Sequence, residues 1–166
     1  FMAANDGVRL IEYNVRLGDP EALNLISLLE TPPAELFYAI ASGDLAPKKV
    51  TFKHQASVSK YLVPQSYPES IPQPIDFQFD PDLVKKNGFT LIYGSVERIG
   101  PKQWAALGSR TLGIVGLGDS PGKVSEKIET FLEEVDLPEL RHRKDVGSQE
   151  IIQQKITKME GIRSDL

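Results

Sequence analysis

The chain has 166 residues, room for one ordinary domain or for a small domain with part of another, and too few for an enzyme that encloses its substrate between two or three domains. Nineteen basic against 23 acidic residues leave a net charge of −4, so no global field favours nucleic acid; the absence of cysteine excludes disulfides and thiolate chemistry, and the two histidines, His54 and His142, exclude a His-rich metal site, leaving oxygen donors for any metal. Forty per cent hydrophobic residues permit a sizeable core, yet no apolar run reaches the roughly 18–20 residues of a membrane span and no signal-peptide pattern leads the chain, which predicts a soluble, unsecreted, cytoplasmic protein with neither membrane nor nucleic acid as a partner.

Phe1 precedes Met2, with no initiator methionine at the front, so a fragment cut from a longer chain is expected. Asn5-Asp6-Gly7 is a turn signature, which makes Phe1 to Ala4 the tail of a hairpin strand. From Val8 to Leu17, β-branched and apolar residues run without a breaker until Gly18, and a strand is predicted. Alternation then puts Leu10, Glu12, Asn14 and Arg16 on one face and Ile11, Tyr13, Val15 and Leu17 on the other. Asp19 as N-cap and Pro20 at the first helical position predict a helix whose Leu25, Ile26, Leu28 and Leu29 form a buried stripe, stopped by Thr31-Pro32-Pro33. A second short helix is predicted over 34–41, terminated by Gly43.

Ala46-Pro47-Lys48-Lys49 marks a boundary, after which Val50, Phe52, Ala56, Val58, Lys60 and Leu62 alternate as a long strand in one or two pieces. Five of the 12 prolines fall between Pro64 and Pro81, predicting an extended, exposed excursion interleaved by Tyr67, Phe77 and Phe79. Two strands follow, over 89–93 and 95–99, with Gly94 as a bulge or turn between them, and another over 110–117. Asp119 or Ser120 then caps a helix carrying Val124, Ile128, Phe131, Leu132 and Val135 at helical spacing, and a last helix is predicted over about 148–159. A strand and two helices, then several strands, then two helices argue α+β rather than a repeating βαβ.

The strongest chemical signal is Glu12-x-Asn14-x-Arg16 followed by Gly18-Asp19-Pro20-Glu21. Residues i and i+2 of a strand stand roughly 6.5–7 Å apart on one face, so a carboxylate and an amide oxygen could share a hard cation such as Mg²⁺, with Arg16 one step further on to pair with a phosphate. The same spacing also describes an exposed sheet face with Glu12 paired to a neighbouring arginine. Gly113-x-x-Gly116-x-Gly118-x-x-Pro121-Gly122 lacks the spacing of a dinucleotide or Walker loop and reads as a structural turn. The run Arg141-His142-Arg143-Lys144 reads as a solvated loop, with a small anion site as the alternative; His54 and His142 read as surface or satisfied positions, and Trp104 as a packing residue.

The stretch from Leu10 to Glu21, Leu-Ile-Glu-Tyr-Asn-Val-Arg-Leu-Gly-Asp-Pro-Glu, resembles the last active-site strand of the ATP-grasp ligases, and specifically that of the phosphoribosylamine–glycine ligase family. Ala56-Ser57-Val58 with Tyr67-Pro68, Gly108-Ser109-Arg110-Thr111-Leu112-Gly113, and Arg143-Lys144-Asp145-Val146-Gly147 are similar to motifs of that family's C-terminal domain; Ser66, Tyr93-Gly94-Ser95 and Ser109 depart from its pattern. The resemblance implies that 1–46 is the end of an ATP-grasp domain and 47–166 a small mixed or antiparallel β-sheet domain with helices. It implies Glu12 and Asn14 as ligands of an ATP-bound Mg²⁺ or Mn²⁺, with Arg16 and Asp19 near the glycine or phosphate end of the site. The implied substrates are ATP, glycine and 5-phosphoribosylamine, joined to give glycinamide ribonucleotide, ADP and phosphate in purine biosynthesis. The N-terminal and nucleotide-binding domains would then be partners of this chain, and the isolated 166 residues are expected to be inactive. The competing expectations are another ATP-grasp ligase and a non-catalytic α+β binding or interaction module.

Overall fold

The computed structural model describes residues 1–4, 6–13, 15–46 and 49–164. Strands β1 (Met2–Ala4) and β2 (Gly7–Arg9) form the expected hairpin, with Met2 paired to Arg9. Helices α1 (Glu21–Leu28) and α2 (Pro33–Ser42) follow; α2 ends on Gly43 at φ 73°, a left-handed conformation that glycine adopts without a Cβ penalty. A four-stranded antiparallel sheet is built from β3 (Ala56–Pro64), β5 (Thr90–Tyr93), β8 (Leu112–Gly118) and β9 (Leu140–Arg141), in the order β5-β8-β3-β9. A three-stranded antiparallel sheet, ordered β4-β7-β6, is built from β4 (Ile75–Gln78), β6 (Val96–Gly100) and β7 (Gln103–Ala106). Helix α3 (Pro81–Lys86) links β4 to β5, α4 (Pro121–Val135) follows β8, and α5 (Gln149–Ser164) comes last. All the strand pairings are antiparallel and the helices pack on the sheets without a repeating βαβ unit, so the class is α+β, as predicted.

Helices lie on both faces of the larger sheet. A Cβ on Gly116 would meet Val124 and Ile128 of α4, so by alternation Leu112 and Ile114 share the α4 side, where each is fully buried. Opposite them on β3, Val58 and Leu62 face the same way, and so does Lys60 between them. The other face carries Ser57 and Ser59, which bond Asn24 of α1 at 2.8 and 3.1 Å. The smaller sheet joins the core through Trp104, whose ring stacks on Tyr93 with centroids 5.2 Å apart and whose Nε1 donates to the Phe79 carbonyl at 3.0 Å. Trp104 is therefore a packing residue with its polar handle satisfied.

Thr111, fully buried, has a hydroxyl without a hydrogen-bond partner among the described residues, while its backbone N–H reaches the Leu62 carbonyl at 3.0 Å. An unmet buried hydroxyl is a net cost, so Thr111→Val, near-isosteric, is expected to raise the unfolding free energy by about 1 kcal/mol in a denaturant titration. A lower midpoint would contradict this.

Several local expectations give way. The strand predicted over 8–17 stops at Arg9: residues 10–13 and 15–19 make no ladder, and Ile11, Tyr13 and Val15 are 62%, 79% and 96% exposed. Apolar alternation gives a segment the pattern of a strand, but a strand also needs a neighbour for its N–H and C=O groups, and none is present among the described residues. The stripe predicted on α1 is not buried, since Leu25 and Ile26 are about half exposed; Leu23 instead faces the sheet at Gly113. The long strand after the boundary begins only at Ala56, Phe52 being limited to an isolated bridge with Leu29, and Pro47 and Lys48 lie outside the described residues. The proline-rich excursion contains β4, whose Phe77 is buried together with Phe79 beyond it. Short elements α3, β7 and β9 carry too little periodicity to be read from sequence.

Candidate functional site

The connection from β7 to β8 carries Arg110, and its backbone is fixed from two sides: Ser95 N–H donates to the Arg110 carbonyl at 2.7 Å, and the next residue is tied to β3 through Leu62. The guanidinium lies over the Tyr61 ring, 5.3 Å from its centroid, a cation–π arrangement. It also forms an ion pair with Asp19 and donates to the Asp19 carbonyl at 3.1 Å, while the Tyr61 hydroxyl donates to the Asp19 carboxylate at 2.8 Å. Burial and this bond to a carboxylate push the Tyr61 phenol up to about 12, so it stays a donor throughout the physiological range. Burial pulls the Arg110 guanidinium down, but the Asp19 carboxylate outweighs it and the group is held above its ordinary value.

Asp19 is therefore not the helix cap that its position before Pro20 predicts. Pro20 occupies the N-cap position of α1 without a side-chain cap bond, and the Asp19 carboxylate is taken by two groups that fold in from β3 and from the β7–β8 connection. The carboxylate thus bonds arginine and tyrosine side chains in place of the backbone N–H groups of the first helical turn.

Arg110 and Tyr61 line a cleft of about 370 Å³ together with Pro20, Lys60, Tyr67, Arg141, His142 and Arg143. That is within the size range of small-molecule sites. Three arginines, Arg110, Arg141 and Arg143, line it, with Asp19 and Asp145 paired to the first and last of them; Lys60 borders it too, but its side chain is 1% exposed and turned to Glu129, so it offers no charge to a ligand there. The run 141–144 is divided: Arg143, paired with Asp145 at an Nε–Oδ1 separation of 3.0 Å, and Lys144 are exposed, as the solvated-loop expectation has it, while Arg141 donates to the carbonyls of Gln65 and Tyr67 and His142 to Glu129. The Asp19–Arg110 pair is half exposed, and such pairs contribute about 0–1 kcal/mol. A dianionic ligand can therefore displace Asp19 from Arg110 at small cost. What the arrangement can do chemically is hold a phosphate monoester.

The residues predicted from the first motif stand elsewhere. Glu12 and Arg16 are exposed in the stretch without ladder, Arg16 donating to the adjacent Leu17 carbonyl at 3.1 Å, and Asn14 lies outside the described residues. Of the three that are described, Asp19 is the one brought to the cleft, through Arg110 and Tyr61. Among the described residues no group of three or more His, Asp and Glu converges as a metal cluster, and no helix is long and apolar enough to cross a membrane. Tyr61 and Arg110 were not read as site residues because they stand far apart in sequence, while Arg141, in the dense basic run, had a small anion site as its alternative reading.

No protein-family model matches the chain. It is 35% identical over 165 residues to the phosphoribosylamine–glycine ligase of Pyrococcus furiosus, covering 99% of this chain and 36% of the relative. The corresponding ligase of Methanocaldococcus jannaschii is 36% identical over 166 residues, and that of Methanobrevibacter smithii 38% over 165, each again covered over 36% of its length. Nearly the whole chain thus aligns with little more than a third of each relative, and over that span it is similar to phosphoribosylamine–glycine ligases.

Proposed function

We propose that the chain is the C-terminal portion of an ATP-dependent ligase that joins glycine to 5-phosphoribosylamine, residues 1–46 completing an ATP-grasp domain and 47–166 forming the domain that follows. The observation that carries this reading is the docking of Asp19, within the Gly-Asp-Pro-Glu end of the family motif, onto Arg110 and Tyr61 at the cationic cleft. One end of the motif thereby meets an anion site, and the other carries Glu12 and Asn14.

On this reading Arg110, with Arg141 and Arg143 nearby, takes the 5-phosphate of phosphoribosylamine and the Tyr61 hydroxyl remains a donor beside it. Fixed cations that hold a non-reacting phosphate orient the amine for attack, which is where binding energy lowers a barrier. The amine attacks the carbonyl carbon of glycyl phosphate, the C–N bond forms, phosphate leaves, and the amine proton is released. Glu12 and Asn14 offer a carboxylate and an amide oxygen, a hard donor set that suits Mg²⁺ or Mn²⁺ with water and nucleotide oxygens. Such an ion, when bound, supplies charge neutralisation for phosphoryl transfer from ATP. Arg16 belongs with the same end, near glycine or phosphate. A protein of this pathway is assigned to the cytoplasm.

The test is a chimera in which this chain replaces the 165 matching residues of the Pyrococcus furiosus ligase. ADP formation dependent on both glycine and phosphoribosylamine is expected, and Glu12→Ala or Asn14→Ala in the chimera should lower kcat by about 100-fold or more with the fold retained. A folded chimera without that activity, or with both variants near normal at saturating Mg²⁺, would sink the reading.

A further inference from the structure

The larger sheet buries a lysine. Lys60 is 2% exposed on the α4-facing side of β3, between Val58 and Leu62, a place where an apolar side chain would pack without desolvation cost. Its Nζ donates to Glu129 of α4 at 2.5 Å and to the Lys144 carbonyl at 3.0 Å. Both Glu129 oxygens lie 3.0 Å from His142 Nε2, and one helical turn earlier Ser125 donates from its hydroxyl to the Val146 carbonyl at 2.9 Å. The buried ionic group therefore bonds more than its own pair. Together with Ser125 it grips residues 142, 144 and 146 of one segment, whose intervening Arg143 and preceding Arg141 line the cleft.

A buried ion pair adds little net stability over an apolar pair of similar volume, so retention of one here calls for another use, and fixing a single arrangement of neighbouring chain is the best-attested one. We propose that Lys60 and Glu129 are positioning residues that hold the Arg141–Val146 segment against the core, so that its arginines stay in place for the anion in the cleft. The proposal rests on the reading of that cleft as a phosphate site. The hold acts through backbone carbonyls and one imidazole, so it constrains the segment without touching the ligand.

The experiment compares the 166-residue chain with Lys60→Met/Glu129→Leu, which removes both charges and keeps the volume, using ribose 5-phosphate and inorganic phosphate as probes in isothermal titration, together with thermal unfolding and amide hydrogen exchange. The expected result is an unfolding midpoint close to that of the parent, faster exchange at 142–146, and affinity for ribose 5-phosphate lower by about tenfold or more, as when the support of a ligand group is lost. A parent-like affinity, or exchange at 142–146 unchanged, overturns the proposal. Arg110→Ala tests the cleft separately: if the parent binds neither probe, or Arg110→Ala binds as the parent does, the phosphate reading fails, and exchange alone then decides whether the two residues position the segment.

Discussion

Glu129→Leu lowers the unfolding free energy by about 3–5 kcal/mol, and it costs more than Lys60→Met, although the two residues are partners in one ion pair. The asymmetry comes from what each variant leaves behind. Without Glu129, the Lys60 ammonium stays in a site that leaves its side chain 1% exposed, with the Lys144 carbonyl as its remaining acceptor. Without Lys60, the Glu129 carboxylate is still 20% exposed and keeps its contact with His142, so the loss is nearer 1–2 kcal/mol by the ~1–3 kcal/mol scale of an unmet polar group. In a chain of this length, roughly 3–5 kcal/mol corresponds to a drop in Tm on the order of 10 °C. The double variant should recover most of it, and the coupling energy from the full cycle isolates the pair. Equal losses in the two single variants would contradict this account.

The same pair gives a pH dependence. Burial raises the Glu129 carboxyl, but the bonds from Lys60 and His142 outweigh it, and the group is held below its ordinary value of 4.5. A carboxylate depressed in the folded state binds protons more readily when unfolded, so its contribution is complete above about pH 4.5 and is lost as the pH falls through the folded-state value. Urea midpoints measured from pH 7 downward should therefore fall less steeply in Lys60→Met/Glu129→Leu than in the parent across the acid range. Parallel profiles would remove Glu129 from the acid response.

Gly94→Ala is expected to be nearly as damaging, and for a reason that bears on the site. A Cβ at Gly94 would run into the carbonyl oxygen of Arg110, with the Arg110 carbonyl carbon 3.1 Å and the Thr111 carbonyl oxygen 3.2 Å away. These are backbone atoms held by the bonds from Gly94 and Ser95, so no side-chain rotation relieves the overlap. The cost belongs at the upper end of overpacking, about 3 kcal/mol, and the β7–β8 connection that carries Arg110 must shift to accommodate it. Affinity for ribose 5-phosphate should fall along with Tm. Gly116→Ala provides the contrast: there the nearest obstacles are side chains of α4, Val124 Cγ1 at 2.8 Å and Ile128 Cδ1 at 3.2 Å, and the helix can draw back without breaking a backbone hydrogen bond of the sheet. A Gly94→Ala protein no less stable than Gly116→Ala, or with unaltered phosphate binding, would refute the argument.

Much of the fold was legible because its signals are local. The Asp6-Gly7 turn, Gly43 at the end of α2, Gly94 between β5 and β6, and the Ser120 cap with the apolar stripe of α4 each depend on a few neighbouring residues, and each stands where the pattern put it. The resemblance at 10–21 could be read for the same reason. What failed depended on partners at a distance. Alternation from Val8 to Leu17 does not make a strand without a neighbouring strand to pair with, and Asp19 next to a proline reads as a cap until Arg110, 91 residues on, claims its carboxylate.

Local pattern was enough for the α+β class, the helix and turn punctuation, the acidic balance and the resemblance at 10–21. Tertiary structure alone decided that Lys60 is buried against Glu129, 69 residues away, and that Arg110, Tyr61 and Arg141 converge on one cleft with a basic run that composition would leave in solvent. The physical reason is sheet register. Antiparallel pairing of β3 with β8 and β9 sets which side chains share a face, and so which charges must find each other, while the spacing of residues along the chain carries no record of that pairing.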